Sequence, residues 1–132
     1  MENLLDVTTR EELRHWLLLN NTAEKCCWVI VSMIRKPNTL LYLDAVEEAL
    51  CFGWIDGIKR KYKDGEVFQR LSPRAKISSW TELNKERVRR LEKIGLMTDE
   101  GRKVLPDLDL NSYRMNEAIE NRLKESDQVY EN

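Results

Sequence analysis

Leu13, Trp16 and Leu17 recur at one-face helical spacing behind a Thr9-Arg-Glu-Glu12 opening, and Asn20-Asn21 interrupts the run. Thr9 and Glu12 have capping-box spacing, so the pattern predicts a short amphipathic helix. From Cys26 to Ile34 the chain is rich in Val, Ile and Trp and too continuously apolar to be half exposed. That predicts a central strand, the best-buried of its sheet, ending before Pro37. Leu43, Val46, Ala49 and Leu50 fall on one face of a second helix, with Gly53 beyond Phe52 as its left-handed stop.

The pattern then switches to period two. Trp54 to Tyr62 alternates, Asp64-Gly65 has the residues of a type I′ turn, and Val67 to Leu71 runs back as the antiparallel partner. With a two-residue loop, Lys63 opposes Glu66, Tyr62 opposes Val67 and Ile58 opposes Leu71. One face then carries Asp56, Ile58, Arg60, Tyr62, Val67, Gln69 and Leu71, and the other Lys59, Lys61, Phe68 and Arg70. A bulge would exchange these sets. Ser79-Trp-Thr-Glu82 has the spacing of a second capping box, opening a helix to Ile94 that stops at Gly95, with Trp80, Asn84, Val88 and Leu91 on one stripe. Thr98 caps a short helix broken near Pro106, and Asn111 or Ser112 starts a terminal helix using Met115, Ile119 and Leu123.

The expected fold is thus α+β: a small, mainly antiparallel sheet of one N-terminal strand plus a hairpin, packed by about five helices. The 132 residues suit one domain, with a core over roughly 9–101 and a C-terminal helical segment over roughly 98–126. No apolar run is long enough to span a bilayer and Met1-Glu2-Asn3 lacks a basic leader, so a cytoplasmic protein without membrane insertion is expected. Cys26, Cys27 and Cys51 sit in apolar contexts and make no CxxC pair, which predicts buried, reduced thiols.

Charge changes the picture. The net charge is −1, yet Lys59 to Lys93 holds twelve Lys and Arg against five acids, an excess of seven that the rest of the chain offsets. Such a concentration attracts anions, although edge lysines also serve simply to block strand aggregation. His15 is the sole histidine, and neither a Walker A nor a GxGxxG motif occurs, so no His-rich metal centre, Ser-His-Asp triad or nucleotide loop can be assembled. No cofactor and no metal are expected. Cys51 lies at a helix C-terminus, which disfavours the thiolate, and packing suits it better than nucleophilic chemistry.

Asp56, Arg70, Arg74 and Asn84 stand inside segments that otherwise build a core, where polar groups are costly without partners. Asp56 at the mouth of the hairpin can orient Arg74 on the following loop, either for ligand binding or merely to pin the hairpin. The start of the Ser79 helix, with Arg70, Arg74 and Lys76 nearby, offers amides to an anion, although Ser79 and Glu82 also serve that helix end themselves. Trp54 and Trp80 can act as apolar walls for a flat ligand or as core wedges, with Asn84 as a partner for a ring N–H or for a loop backbone.

Four ordered motifs carry a resemblance. Glu47-Glu-Ala-Leu-Cys-Phe-Gly-Trp-Ile-Asp-Gly57, Gln69-Arg-Leu-Ser-Pro-Arg74, Ser78-Ser-Trp-x-x-x-Asn84-x-x-Arg87-x-x-x-Leu91 and Gly95-Leu-Met-Thr-x-x-Gly101 together resemble the YdeI/OmpD-associated proteins, also called bacteriocin-protection proteins, over about Thr9 to Gly101. The resemblance implies a bacterial α+β protein in a stress or bacteriocin-resistance context, with no established reaction. It also implies functional positions at Trp54, Asp56, Arg70, Pro73, Arg74, Ser79, Trp80 and Asn84. Leu41 departs from the Ser or Thr cap usual there, and the acidic terminal helix is expected either to substitute for the C-terminal helical module of many relatives or to cover the same surface.

These features favour a binding protein over an enzyme. A cleft of Trp54, Asp56, Arg70, Arg74, Ser79, Trp80 and Asn84 is expected to take an anionic small molecule or an acidic peptide end. The alternatives are a nucleic-acid binder using the basic 59–93 region, sensitive to Lys59, Lys61, Lys85 and Arg89, and a hydrolase or transferase with Asp56 as general base.

Overall fold

The computed structural model describes residues 1–75 and 80–106. In chain order the elements are α1 (Arg10–Asn20), β1 (Cys27–Ser32), β2 (Leu40–Leu41), α2 (Tyr42–Cys51), β3 (Trp54–Lys63), β4 (Glu66–Pro73), α3 (Glu82–Lys93) and α4 (Asp99–Arg102). The Thr9 hydroxyl accepts from the Glu12 N–H and the Glu12 carboxylate accepts from the Thr9 N–H, so both halves of the first capping box form. The terminal helix expected from Asn111 or Ser112 lies outside the described residues.

The expected sheet is overturned. It has four strands in the order β2-β1-β4-β3, and β2 runs parallel to β1, with Val31 opposite Leu40 and Ser32 opposite Leu41. It is therefore mixed, and four helices occupy the described residues, the last of only four residues. Leu40-Leu41 is too short to show a period, and its pairing becomes visible only once α2 folds back against β1.

Cys27, Val29 and Val31 on β1 and Leu71 on β4 face Leu13, Leu17, Ala45, Val46, Ala49, Leu50, Val88 and Leu91 of the helices, all buried in one cluster. Each large side chain in it contributes about 1.5–3 kcal/mol of transfer free energy. Leu43 is 39% exposed, contrary to its expected place on the buried face. Between α1, α2 and α3 runs an ionic seam instead. Glu48, 2% exposed, lies 2.6 Å from Arg10 and 2.9 Å from Arg14, and Glu47 pairs with Arg10 and Arg90. Arg14 also donates to the Leu96 carbonyl at 2.7 Å, tying α1 to the chain beyond α3.

The hairpin turn has positive φ at both Asp64 and Gly65, as a type I′ turn requires, and Lys63 opposes Glu66. Beyond that pair the expected register fails twice. Bulges between Lys61 and Lys63 and between Asp56 and Lys59 place Lys61 opposite Val67, Arg60 opposite Phe68, Lys59 opposite Gln69 and Asp56 opposite Leu71. Lys59 and Lys61 thereby join the core-facing side, whereas Arg60 joins Phe68 and Arg70 on the other. Fully buried Gln69 explains how the lower bulge is tolerated: its amide donates to the Gly57, Ile58 and Arg70 carbonyls at 3.0, 3.4 and 2.9 Å.

Gly53 takes φ +76 and ends α2, and the hydroxyl and N–H of Thr98 both donate to the Cys51 carbonyl, at 2.6 and 3.1 Å. Thus α4 closes the C-terminus of α2 by backbone contact. Cys26, Cys27 and Cys51 are free and buried. Burial pushes the Cys27 thiol up to about 12 and, aided by Glu48, the Cys51 thiol up to about 11.

Candidate functional site

Where α2 begins, β3 turns inward and β4 ends, polar side chains converge. Asp56 points to the core-facing side, and the Tyr42 hydroxyl donates to its carboxylate at 2.7 Å. Burial, then that bond and the negative charge behind it, push the Tyr42 phenol up to about 12. The Lys59 ammonium sits 4.5 Å from the Tyr42 ring centroid, and Arg87 of α3 also acts on Tyr42 through its positive charge.

Arg74 follows β4 with its N–H bound to the Gly53 carbonyl at 2.8 Å, and only 5% of it is exposed. Its guanidinium lies 4.0 Å from the centre of the Trp80 ring. Desolvation lowers its pKa, and the nearby Asp56 charge opposes that shift. The guanidinium is thus held over an indole, stripped of most water, near a carboxylate that accepts from the Tyr42 hydroxyl. Asn84 accepts from Arg87 at 2.9 Å, which fixes that second guanidinium on the same flank.

Of the expected residues, Asp56, Arg74, Trp80 and Asn84 are drawn to this region. Trp54 is a core wedge, 1% exposed, edge-on to Trp16 at 5.9 Å with its ring N–H on the Asn21 carbonyl at 3.3 Å. Arg70 leaves the group: it pairs across the sheet with Trp28, on the face opposite Asp56. Ser79 lies outside the described residues, and the side-chain cap of α3 is Thr81, which accepts from the Asn84 N–H at 3.0 Å. Sequence reasoning missed Tyr42, Lys59 and Arg87. The bulge moved Lys59 to this side, and the Asn84-x-x-Arg87 spacing was the one readable sign of Arg87.

Within the basic 59–93 region, two helix cations are matched locally. Lys85 pairs with Glu82 at 3.0 Å and Arg89 with Glu86 at 2.7 Å, each one helical turn apart. Elsewhere, a polar cavity of about 350 Å³ opens between the start of α1 and the β1–β2 connection, lined by Thr8, Arg10, Arg35, Asn38 and Asp44. It contains none of the expected site residues. Among the described residues no helix is long and apolar enough to cross a membrane, and no cluster of three or more His, Cys, Asp or Glu could hold a metal ion.

The arrangement defines a helix-covered mixed sheet bearing a desolvated Arg–Trp stack beside a Tyr–Asp pair. A family described as a domain of unknown function, DUF8412, matches residues 5–104, and the chain belongs to it. No curated protein and no solved structure matches the chain.

Proposed function

We propose that this protein binds an anionic small molecule or an acidic peptide end at the Asp56–Arg74–Trp80 site. The observation that carries the reading is the Arg74 guanidinium, 5% exposed and stacked 4.0 Å from Trp80. A cation already desolvated and already oriented gives up little on meeting a carboxylate or phosphate, so its charge-assisted hydrogen bonds are realised more fully than those of a mobile surface lysine. Lys59 and Arg87 add positive charge near Tyr42, whose hydroxyl holds the Asp56 carboxylate that acts on Arg74. Asp56 serves as orienter of Arg74, with its own direction fixed by Tyr42. The resemblance to YdeI/OmpD-associated proteins supports, as part of this proposal, a bacterial stress or bacteriocin-resistance setting for these residues, and the absence of a long apolar run in the sequence supports a cytoplasmic one.

The test is a thermal-shift panel of carboxylates, phosphates and nucleotides at low and high salt, on the parent and Arg74→Ala. A ligand at a hundred times its Kd stabilises the parent by about 2.7 kcal/mol. Arg74→Ala is expected to lose that shift, whereas Lys85→Gln, whose charge is already met by Glu82, retains it. Equal shifts in parent and Arg74→Ala reduce the stack to a pin between the β4 end and α3.

A further inference from the structure

The sheet face turned away from the helices has an unusual composition. All buried apolar residues of the described helices join the cluster on the Cys27, Val29, Val31 and Leu71 side. A one-sided sheet normally turns polar residues outward. Here the register instead lines up Arg60, Phe68 and Ile30 in one cross-strand row and Arg70 beside Trp28 in the next. The bulge at Tyr62 tips its ring onto Phe68, with centroids 4.7 Å apart and planes at 51°. The Lys63 ammonium stands 5.2 Å from the Tyr62 ring, and the Arg60 guanidinium 5.7 Å from the Trp28 ring. Tyr62 is 41% exposed, Phe68 and Arg70 are half-buried, and Trp28, 6% exposed, forms the floor.

Aromatic rings and cations thus alternate across three strands. Two acids flank this face: Glu66, met by Lys36 at 2.7 Å, and Asp6, which lines a pocket with Ile30, Tyr62 and Lys63, and together they leave the cations in excess. The face therefore presents Arg60, Lys63 and Arg70 as a net positive strip with π-surface between them. We propose that this face is a docking platform for single-stranded nucleic acid, with bases stacking on Tyr62 and Phe68 and phosphates meeting Arg60, Lys63 and Arg70. Charge complementarity selects a polyanion, and the exposed rings select one whose flat faces are free. A duplex hides those faces between its base pairs, and an acidic peptide has none. The platform is separate from the Arg74 site, since Arg70 and Asp56 lie on opposite faces of the sheet.

The experiment is fluorescence anisotropy of the full chain with a labelled oligothymidylate of about twelve nucleotides, against the same sequence as duplex and against a polyglutamate peptide. Single strand is expected to bind best, with a log–log salt slope of about −2 for three phosphate contacts. Tyr62→Ala is expected to weaken binding roughly tenfold, and Tyr62→Trp to preserve it. Tyr62→Leu keeps apolar bulk on Phe68 without a π-face, so it separates lost stacking from lost folding. Its affinity should fall like that of the alanine variant while its melting temperature stays near the parent's. Parent-like binding by Tyr62→Leu overturns the platform, as does binding of duplex or polyglutamate equal to single strand, or no binding at low salt.

Discussion

Gly101→Ala tests whether α4 is held by backbone-to-backbone contact. A Cβ at Gly101 would stand 2.2 Å from the Cys51 carbonyl oxygen, 2.8 Å from its carbonyl carbon and 2.9 Å from the end of Met97. Met97 can swing aside; the Cys51 carbonyl cannot, because it ends α2 and already accepts both Thr98 bonds. Relief requires α4 to back away by about an ångström, which adds overpacking strain of ~1–3 kcal/mol and weakens two hydrogen bonds of ~0.5–1.5 kcal/mol each. Alanine restricts the unfolded chain and returns ~0.4–1 kcal/mol. The net expectation is a loss of about 3 kcal/mol, or a fall in Tm of roughly 10 °C for a chain of this size. Calorimetry and urea titration measure it, and faster modification of Cys51 reports the same undocking locally. An unchanged Tm would refute the reasoning, because it would mean the α2–α4 contact is loose enough to admit a methyl group.

Two further expectations follow from buried groups. Glu48→Gln removes a carboxylate shared by Arg10 and Arg14, which are themselves about a quarter exposed, so the cost should fall toward the lower end of a broken buried pair, about 3 kcal/mol in urea titration; a loss near zero would make the seam ornamental. The pH expectation comes from Cys27, Cys51 and Tyr42, whose folded pKa values are raised above their ordinary 9.0, 9.0 and 10.0. Between those values and the folded ones the unfolded chain binds fewer protons, so stability is full below about pH 9 and falls as pH rises toward about 12. Cys27→Ala should shrink the drop in urea midpoint between pH 8 and pH 10, and an unaltered drop would rule out the thiol as its source.

Local chemistry was legible where one residue type decides the backbone. Thr9 and Glu12 announced α1, Gly53 and Gly95 announced the ends of α2 and α3, and Asp64-Gly65 announced the turn, because caps and positive φ depend on few neighbours. What escaped depends on distant partners. The strand Leu40-Leu41 exists because β1 lies beside it, and the bulge between Asp56 and Lys59 is tolerated because Gln69 reaches across to the freed carbonyls. Once the register slips, side-chain sets change faces: Lys59 moves toward Asp56, while Arg60 and Tyr62 move toward Trp28 and Phe68. At α3, Ser79 and Thr81 both have cap chemistry, and spacing to Glu82 favoured Ser79, whereas Thr81 makes the bond. Asp56, Arg74, Trp80 and Asn84 were readable as polar or aromatic residues in odd places. Tyr42 was not, since a tyrosine at a helix start looks like any other boundary residue until Asp56 is brought to it.

The three cysteines give the molecule a clock of its own. Each thiol is unpaired and hidden, and Cys27 and Cys51 resist ionisation until the surrounding structure parts. A small maleimide should therefore modify only chains that have transiently opened. Cys26 and Cys27 would time the parting of β1, Cys51 would time the lifting of α4, and mass spectrometry could tell the two events apart in the natural chain.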